Sequence, residues 1–132
     1  MTTADTLILT VDGYRIVCDL VGERFEAIID NNEFESEGFY SVGNKEVYKV
    51  TIDSGAYING SPDHKILTNA GWKEISKLKV GNTLKLYENE SDIITKIENI
   101  GCYYVYDCSI PSNMYVSEGG FYNHTHPLSS KK

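Results

Sequence analysis

The sequence predicts an all-β protein with a single domain. Over its 132 residues, no segment longer than about six residues has a helical period, and turn signals recur roughly every eight to twelve residues. The chain also contains ten tyrosines, a residue that favours half-buried strands in which one end of the ring stays in water. Together these observations favour a compact sheet protein built from hairpins.

The first half of the chain is predicted to contain five strands, each ended by a turn signal. They cover residues 6–10, 14–18, 25–30, 47–52 and 56–59. The Asp-Gly pair at 12–13 indicates the first hairpin, because this dipeptide is typical of two-residue β-turns. Turns are also predicted at 31–32 and 53–55, and the acidic stretch 33–41 is expected to be partly exposed.

The second half of the chain is predicted to continue the sheet. Its predicted strands cover residues 65–68, 84–87, 93–100, 103–110, 114–117 and 120–122. Residues 74–78 (EISKL) predict one helical turn, the only helix that we expect. Residues 88–92 (ENESD) are expected to form a solvated loop, and residues 127–132 are expected to be disordered.

Composition and charge exclude several classes of function. The net charge of -7 argues against nucleic-acid binding, which depends on clustered lysine and arginine. No apolar run approaches the roughly 20 residues that span a bilayer, and the N-terminus lacks a signal-peptide pattern. We therefore expect a cytoplasmic monomer without a membrane partner.

The three cysteines do not indicate a metal or cofactor site. Cys18, Cys102 and Cys108 form no CxxC pair and have no ligand-like spacing, so we expect neither metal nor cofactor. They are expected to be buried small hydrophobic residues in a reducing compartment. The alternative for Cys108, which follows Asp107, is a reactive thiol.

Two polar clusters are candidates for chemistry on a peptide bond. The first is Asn123, His124 and Thr125, which combine an amide that can cyclise, an imidazole that can move protons and a hydroxyl that can accept an acyl group. The second is Ser61 and His64, on a turn between two strands, which together with local backbone N–H groups are suited to polarising a carbonyl. The alternative for the first cluster is a plain polar tail, and the alternative for His64 is an ordinary surface histidine.

Three stretches containing these clusters resemble inteins, the protein-splicing domains of the Hint (hedgehog/intein) superfamily. TTADTLILTVDGYRIVCDL is similar to the N-terminal splicing block, and SGAYINGSPDHKILTNAGWKEISKLKVGNTL to the second block, with Ser61 in place of the usual threonine. VYDCSIPSNMYVSEGGFYNHT is similar to the two C-terminal blocks, with Asp107 at their aspartate position. The resemblance covers nearly the whole chain and implies a horseshoe-shaped Hint fold with at most one or two short helical turns.

The resemblance also implies a mini-intein. The homing endonuclease of larger members would be inserted at 88–92, and five residues leave no room for it. Inteins are commonly split at this loop, and some phage members are split near 21–31, so a complementary intein fragment is a possible partner. The short second strand region and the hydroxyl of Thr125 are compatible with inteins of phage large-terminase genes.

For the family, the implied function is self-catalysed excision with ligation of the flanking polypeptides. A first-position nucleophile takes the upstream acyl group, and the residue after the intein accepts it by transesterification. The intein's last residue then cyclises and cuts the downstream junction. By resemblance, Ser61 and His64 act at the upstream junction as polarising hydroxyl and general acid, and Asp107 positions the attack of Thr125.

This chain departs from the family pattern at both junctions. Met1 occupies the nucleophile position, and a thioether has no proton to lose. Downstream, the alignment without gaps makes Asn123 penultimate, His124 terminal and Thr125 the acceptor. Two other registers stay open: His124 penultimate with Thr125 terminal, or Asn123 as the cyclising residue with His124 as the first flanking residue. We favour the gapless register.

In that register, residues 1–124 are the splicing domain and 125–132 are flanking sequence and tail. Because Met1 and His124 occupy the nucleophile and cyclising positions, this form is expected to be inactive in splicing. One alternative is a hedgehog-like or bacterial intein-like autoprocessing domain, which cleaves without ligation. Another is a non-catalytic β-domain that binds a peptide at an open edge.

Overall fold

The fold is known from a computed structural model that describes residues 1–125, and these form an antiparallel β-structure. Thirteen strands pair in one connected network. They are β1 (Thr2–Thr3), β2 (Leu7–Thr10), β3 (Gly13–Ile16), β4 (Phe25–Ile29), β5 (Asn32–Ser36), β6 (Phe39–Ile52), β7 (Tyr57–Gly60), β8 (Lys65–Thr68), β9 (Gly71–Glu74), β10 (Thr83–Leu86), β11 (Glu90–Cys108), β12 (Met114–Ser117) and β13 (Phe121–His124). The prediction of an all-β protein is confirmed. The disorder expected at 127–132 lies outside the described residues.

The only helical segments within residues 1–125 are three short 3₁₀ turns. Ile75–Lys77 lies inside the helical turn predicted at 74–78. Val17–Leu20 overlaps the end of the strand predicted at 14–18. Tyr87–Asn89 overlaps the end of the strand predicted at 84–87 and the start of the loop predicted at 88–92, so the prediction of a single helical turn was wrong. None of these helices is long and apolar enough to cross a membrane.

Two long strands, β6 and β11, pair over most of their length and organise the sheet. The strands predicted at 93–100 and 103–110 are one continuous strand of 19 residues. Its pairing with β6 shifts register between Asn99 and Gly101, and Gly101 has a φ of 100°. Glycine adopts this left-handed conformation without strain, so the predicted break is a bulge within one strand. Likewise, the acidic stretch 33–41 contains most of β5 and the start of β6.

The chain reversal between β10 and β11 is shorter than the predicted loop. Only Glu88 and Asn89 have left-handed backbones, with φ values of 61° and 62°. Leu86 already pairs with Glu90, and Leu84 with Asp92. The solvated loop expected at 88–92 is therefore a tight turn followed directly by strand.

The two faces of β13 contribute to different parts of the core. Phe121 belongs to the apolar cluster around Val50 and Ile66, whereas Tyr122 packs with Ile29 and Val116. A separate cluster contains stacked aromatic rings of β4 and β6. Because side chains alternate along a strand, residues 121 and 123 point one way and residues 122 and 124 the other. This alternation decides which polar residues of β13 reach the candidate site.

Candidate active site

The shortest strand, β1, brings the first residue into the centre of the molecule. Thr2 pairs with Gly60 at the end of β7 and with Tyr106 in β11. Because both pairings are antiparallel, Met1 lies opposite the residues that follow Gly60 and Tyr106, which are Ser61 and Asp107. The backbone N–H of Ser61 donates to the Met1 carbonyl oxygen at 3.1 Å. Topology thus assembles the site from residues far apart in sequence.

His64 is completely buried and ends a tight turn that begins at Ser61. Its N–H donates to the Ser61 carbonyl at 3.0 Å, and its carbonyl accepts from the Ile75 N–H at 2.8 Å. The turn packs closely against Gly60, where an added Cβ would lie 2.9 Å from His64 Cδ2 and 2.7 Å from Ile75 Cδ1. The imidazole therefore has a fixed position, and glycine is required beside it.

The two ring nitrogens of His64 face opposite halves of the site. Nδ1 is hydrogen-bonded to the α-amino nitrogen of Met1. Nε2 lies 2.8 Å from Oδ1 of Asn123, another fully buried residue. One side chain therefore connects the first residue of the chain with the strand that carries the C-terminal polar cluster.

The Ser61 hydroxyl is engaged within its own turn. It donates to Oδ1 of Asp63 at 2.7 Å. Partial burial acts to raise the pKa of Asp63, but the Ser61 hydrogen bond and the nearby charges of Lys45 and the Met1 amine outweigh it, so the pKa is lowered. Ser61 thus contacts residue 1 through its backbone N–H, whereas we expected the hydroxyl to act on a junction carbonyl.

Burial dominates the electrostatics around residue 1. Desolvation lowers the pKa of the Met1 amine from 8.0 to about 6, although the negative charges of Asp107 and Asp63 oppose the shift. Asp107 is 2% exposed, and one of its carboxylate oxygens accepts from the Cys108 N–H at 2.9 Å. Burial, assisted by Asp107, also raises the pKa of Tyr40 to about 12. A neutral nitrogen is therefore favoured at this position.

The C-terminal cluster is divided between two faces of the sheet. Asn123 points to His64, whereas the ring of His124 packs edge-on against Trp72, with centroids 5.0 Å apart. Trp72 is partly buried and packs against the apolar cluster that contains Tyr122. Thr125 is buried, and its hydroxyl has no hydrogen-bond partner among residues 1–125.

The three cysteines differ from the expectation that all would be buried. Cys18 and Cys102 are exposed, and only Cys108 is buried. Burial and the adjacent Asp107 raise the pKa of the Cys108 thiol, which opposes thiolate formation and a reactive role. Within residues 1–125, no three His, Cys, Asp or Glu side chains are grouped to hold a metal ion.

The structure brings five of the predicted site residues together. They are Met1, Ser61, His64, Asp107 and Asn123. His124 instead lies against Trp72. Two contributing residues were missed: Asp63, which holds Ser61, and Ser117, whose Oγ accepts from Asn123 Nδ2 at 2.9 Å. The Ser-x-Asp spacing at 61–63 was a usable signal, whereas Ser117 depends on the register of a hairpin.

Sequence comparison finds no matching family model but several distant relatives. The chain is 30% identical over 95 residues to the tRNA-splicing ligase RtcB of Pyrococcus abyssi, covering 63% of this chain. It is 30% identical over 90 residues to the replicative DNA helicase DnaB of Rhodothermus marinus, covering 62% of this chain. In both cases the match covers only 10% of the relative's own length.

Comparison with solved structures shows close similarity over nearly the full chain. A variant of the Ssp DnaB mini-intein superposes with a TM-score of 0.87 at 22% identity, covering 96% of this chain and 95% of that one. The DnaB intein of Synechocystis sp. PCC 6803 gives 0.86 at 23%, with 95% and 97% covered. The gp41-1 intein gives 0.81 at 23%, with 94% and 97% covered. Residues 1–125 therefore have the Hint fold of the mini-inteins, without an inserted endonuclease domain.

Proposed function

We propose that the chain is a protein-splicing domain that acts on polypeptides attached to its two ends. The observation that carries this proposal is the position of His64, with Nδ1 against the nitrogen of residue 1 and Nε2 against Asn123. A buried imidazole placed between the two segments that flank the splice junctions is suited to peptide-bond chemistry at both.

The distribution of the distant relatives also supports an inserted module. A tRNA-splicing ligase and a replicative DNA helicase differ in name and activity, yet this chain aligns with a segment of 90 to 95 residues in each, which is 10% of the relative's own length. A self-contained domain carried inside different host proteins gives this pattern, whereas a shared host activity does not. The partners implied are the flanking polypeptides of a host protein.

At the upstream junction, the Met1 nitrogen stands for the amide nitrogen of the bond to be cut. With cysteine at position 1, the sulfur attacks the preceding carbonyl carbon, a thioester forms and the C–N bond breaks. His64 Nδ1 accepts the thiol proton and then transfers it to the departing nitrogen, so the imidazole ends the step as it began. The Ser61 N–H fixes the peptide group of residue 1, and Asp63 orients the Ser61 side chain.

At the downstream junction, Thr125 is the acceptor in the gapless register. Its oxygen attacks the thioester carbon, the sulfur departs, and an ester joins the two flanking chains. An asparagine at position 124 would then attack its own carbonyl through its side-chain nitrogen, which breaks the 124–125 bond and frees the Thr125 amine for the final ester-to-amide shift. Asp107 serves this stage as the buried carboxylate beside residue 1.

We further propose that the chain with Met1 and His124 does not splice. A thioether forms no acyl intermediate, and an imidazole has no side-chain amide for the cyclisation. The fold would still supply its main contribution, the approach of the two junctions, which can be worth about 7–11 kcal/mol of barrier in a well-oriented intramolecular reaction.

The test is a splicing assay on a repaired chain. The Met1→Cys, His124→Asn double variant is placed between two foreign flanking proteins and followed by intact-mass analysis. The matched controls are the unrepaired chain in the same context and the repaired chain carrying His64→Ala. Circular dichroism on each variant excludes unfolding as the cause of a lost product.

A ligated product that is lost on His64→Ala supports splicing and the gapless register. Cleavage without ligation would instead indicate an autoprocessing domain. Ligation by the unrepaired chain would contradict the proposed inactivity, and a folded repaired chain without any reaction would contradict the proposed function.

A further inference from the structure

A continuous buried chain of hydrogen bonds runs from β12 to the first residue. Ser117 Oγ lies 2.9 Å from Asn123 Nδ2, and Asn123 Oδ1 lies 2.8 Å from His64 Nε2. His64 Nδ1 contacts the Met1 nitrogen. Ser117, Asn123 and His64 are at most 1% exposed, so water does not compete for these contacts.

The backbone carbonyl of Phe121 fixes the orientation of the Asn123 amide. Asn123 Nδ2 lies 3.1 Å from this oxygen. A carbonyl oxygen can only accept, so the NH₂ group must be on that side and the amide oxygen must face His64. The Ser117 hydroxyl oxygen accepts the second N–H of the same NH₂ group.

The direction of the Asn123 amide sets the tautomer of His64. Since the amide oxygen only accepts, Nε2 must carry a proton and donate it. In the neutral ring Nδ1 is then unprotonated, and it accepts from the nitrogen of residue 1. A proton that enters or leaves the ring must do so at Nδ1, the atom that faces the upstream junction.

The strand pairing makes this arrangement rigid. Asn123 lies in β13, paired with Ile66 of β8 on one side and Tyr115 of β12 on the other. Ser117 pairs with Phe121 in the same hairpin and with Ile8 of β2. Neither side chain can swing away without loss of a buried hydrogen bond, which costs more than an exposed one.

We propose that Asn123 and Ser117 are positioning residues that hold His64 in the Nε2–H tautomer, so that Nδ1 serves the nitrogen of the upstream junction. The role of Nδ1 at the upstream junction rests on the proposed function, whereas the tautomer of His64 is argued from the hydrogen bonds alone. The same contacts argue against Asn123 as the cyclising residue. Its side-chain nitrogen would first have to break its hydrogen bonds to Ser117 Oγ and to the Phe121 carbonyl.

The first arm of the test measures the tautomer in the chain as it stands. Long-range ¹H–¹⁵N correlation spectra of the histidine rings distinguish Nε2–H from Nδ1–H. We expect a single Nε2–H form for His64 in the parent and in the exposed-asparagine control Asn44→Ala. Asn123→Ala should give a mixture or the other tautomer, and Ser117→Ala a partial change.

Conservative replacement makes the interpretation specific. Asn123→Asp keeps an acceptor toward Nε2, so it should restore the Nε2–H form that Asn123→Ala loses. An Nδ1–H form in the parent, or an unchanged tautomer in folded Asn123→Ala, would overturn the inference. If Asn123→Ala does not fold, the tautomer of His64 is measured in Ser117→Ala, with the exposed Ser91→Ala as its control. An unchanged tautomer in folded Ser117→Ala would then overturn the inference.

The second arm uses the repaired chain with cysteine at position 1 and thiol-induced cleavage at the upstream junction. Asn123→Ala should slow cleavage by roughly 10- to 100-fold, part of the 10²–10⁴-fold typical of acid–base catalysis, and displace its pH profile. Asn123→Asp should recover the rate in part. An unchanged rate and pH profile in Asn123→Ala would refute the positioning role. Failure of the repaired parent to cleave would count against the proposed function alone, since the tautomer is measured separately.

Discussion

The buried amine of Met1 predicts a specific pH dependence of stability. Its pKa falls from 8.0 in the unfolded chain to about 6 in the folded protein, chiefly because burial disfavours the charged form. At about 1.4 kcal/mol per pKa unit, this difference is worth about 3 kcal/mol of unfolding free energy. That is a large share of the roughly 5–15 kcal/mol that stabilises a typical domain.

The sign follows from proton binding in the two states. Between pH 6 and 8 the amine is protonated in the unfolded chain and largely neutral in the folded protein. The unfolded state therefore binds more protons, and the free energy of unfolding rises with pH across this window. Well above pH 8 both states are neutral, and well below pH 6 both are charged, so the contribution of the amine levels off about one pH unit beyond each end of the window.

The assay is urea unfolding at intervals from pH 5.5 to 8.5, followed by the fluorescence of Trp72, the only tryptophan. The matched reference is the same chain acetylated at its N-terminus, which has no titrating amine but keeps every histidine. Intact mass must show that Met1 is retained in both samples. The upper limit avoids ionisation of the Cys108 thiol in the unfolded chain, whose pKa is raised by burial in the folded one.

The comparison concerns the slope with pH, because an added acetyl group also changes stability by an offset independent of pH. We expect the free-amine chain to gain about 2 kcal/mol more than the acetylated chain between pH 6 and 8, because the amine is still half-titrated in one of the two states at each end of this window. Equal slopes in the two samples would refute the reasoning, since they would mean that the amine is equally solvated in the folded and unfolded states.

Two further predictions concern packing at the site and the state of the cysteines. Gly60→Ala should destabilise the protein by about 1–3 kcal/mol and slow upstream cleavage in the repaired chain, because the added methyl displaces the His64 ring. Urea unfolding measures the first effect and the cleavage assay the second. A variant with full stability and full activity would contradict this packing. Maleimide labelling followed by mass analysis should modify Cys18 and Cys102 in the native protein and Cys108 only after unfolding. Rapid native labelling of Cys108 would show that the thiol is more accessible than its burial indicates.

Local patterns predicted the fold class but not the continuity of the strands. Residues 47–52 alternate in the sequence, and they form the end of β6 as expected. Separate strands were predicted at 93–100 and 103–110, yet Gly101 between them belongs to a bulge within the single strand β11. A glycine is compatible with both outcomes, and the choice depends on whether a long partner strand is present, which no short window of sequence contains.

The candidate site was predicted where its residues are close in sequence. Ser61 and His64 share one turn, so their proximity follows from local geometry. The contact between His64 and Met1 depends on the pairing of β1 with β7 across 58 positions, and Ser117 depends on the register of β12 with β13. The family resemblance supplied the first of these long-range contacts, but it contained no information about the second.

The division of β13 into two faces places residue 123 beside the first residue's site and residue 124 away from it. Its side chain lies on the face of Phe121 and His64, whereas residue 124 lies on the face of Trp72. A shift of β13 by one residue would exchange these faces and place an imidazole against an imidazole. The buried amide hydrogen bonds of Asn123 oppose such a shift, because an unpaired amide would have to enter the apolar cluster around Tyr122. Asn123 thereby contributes to the register of β13 as well as to the environment of His64.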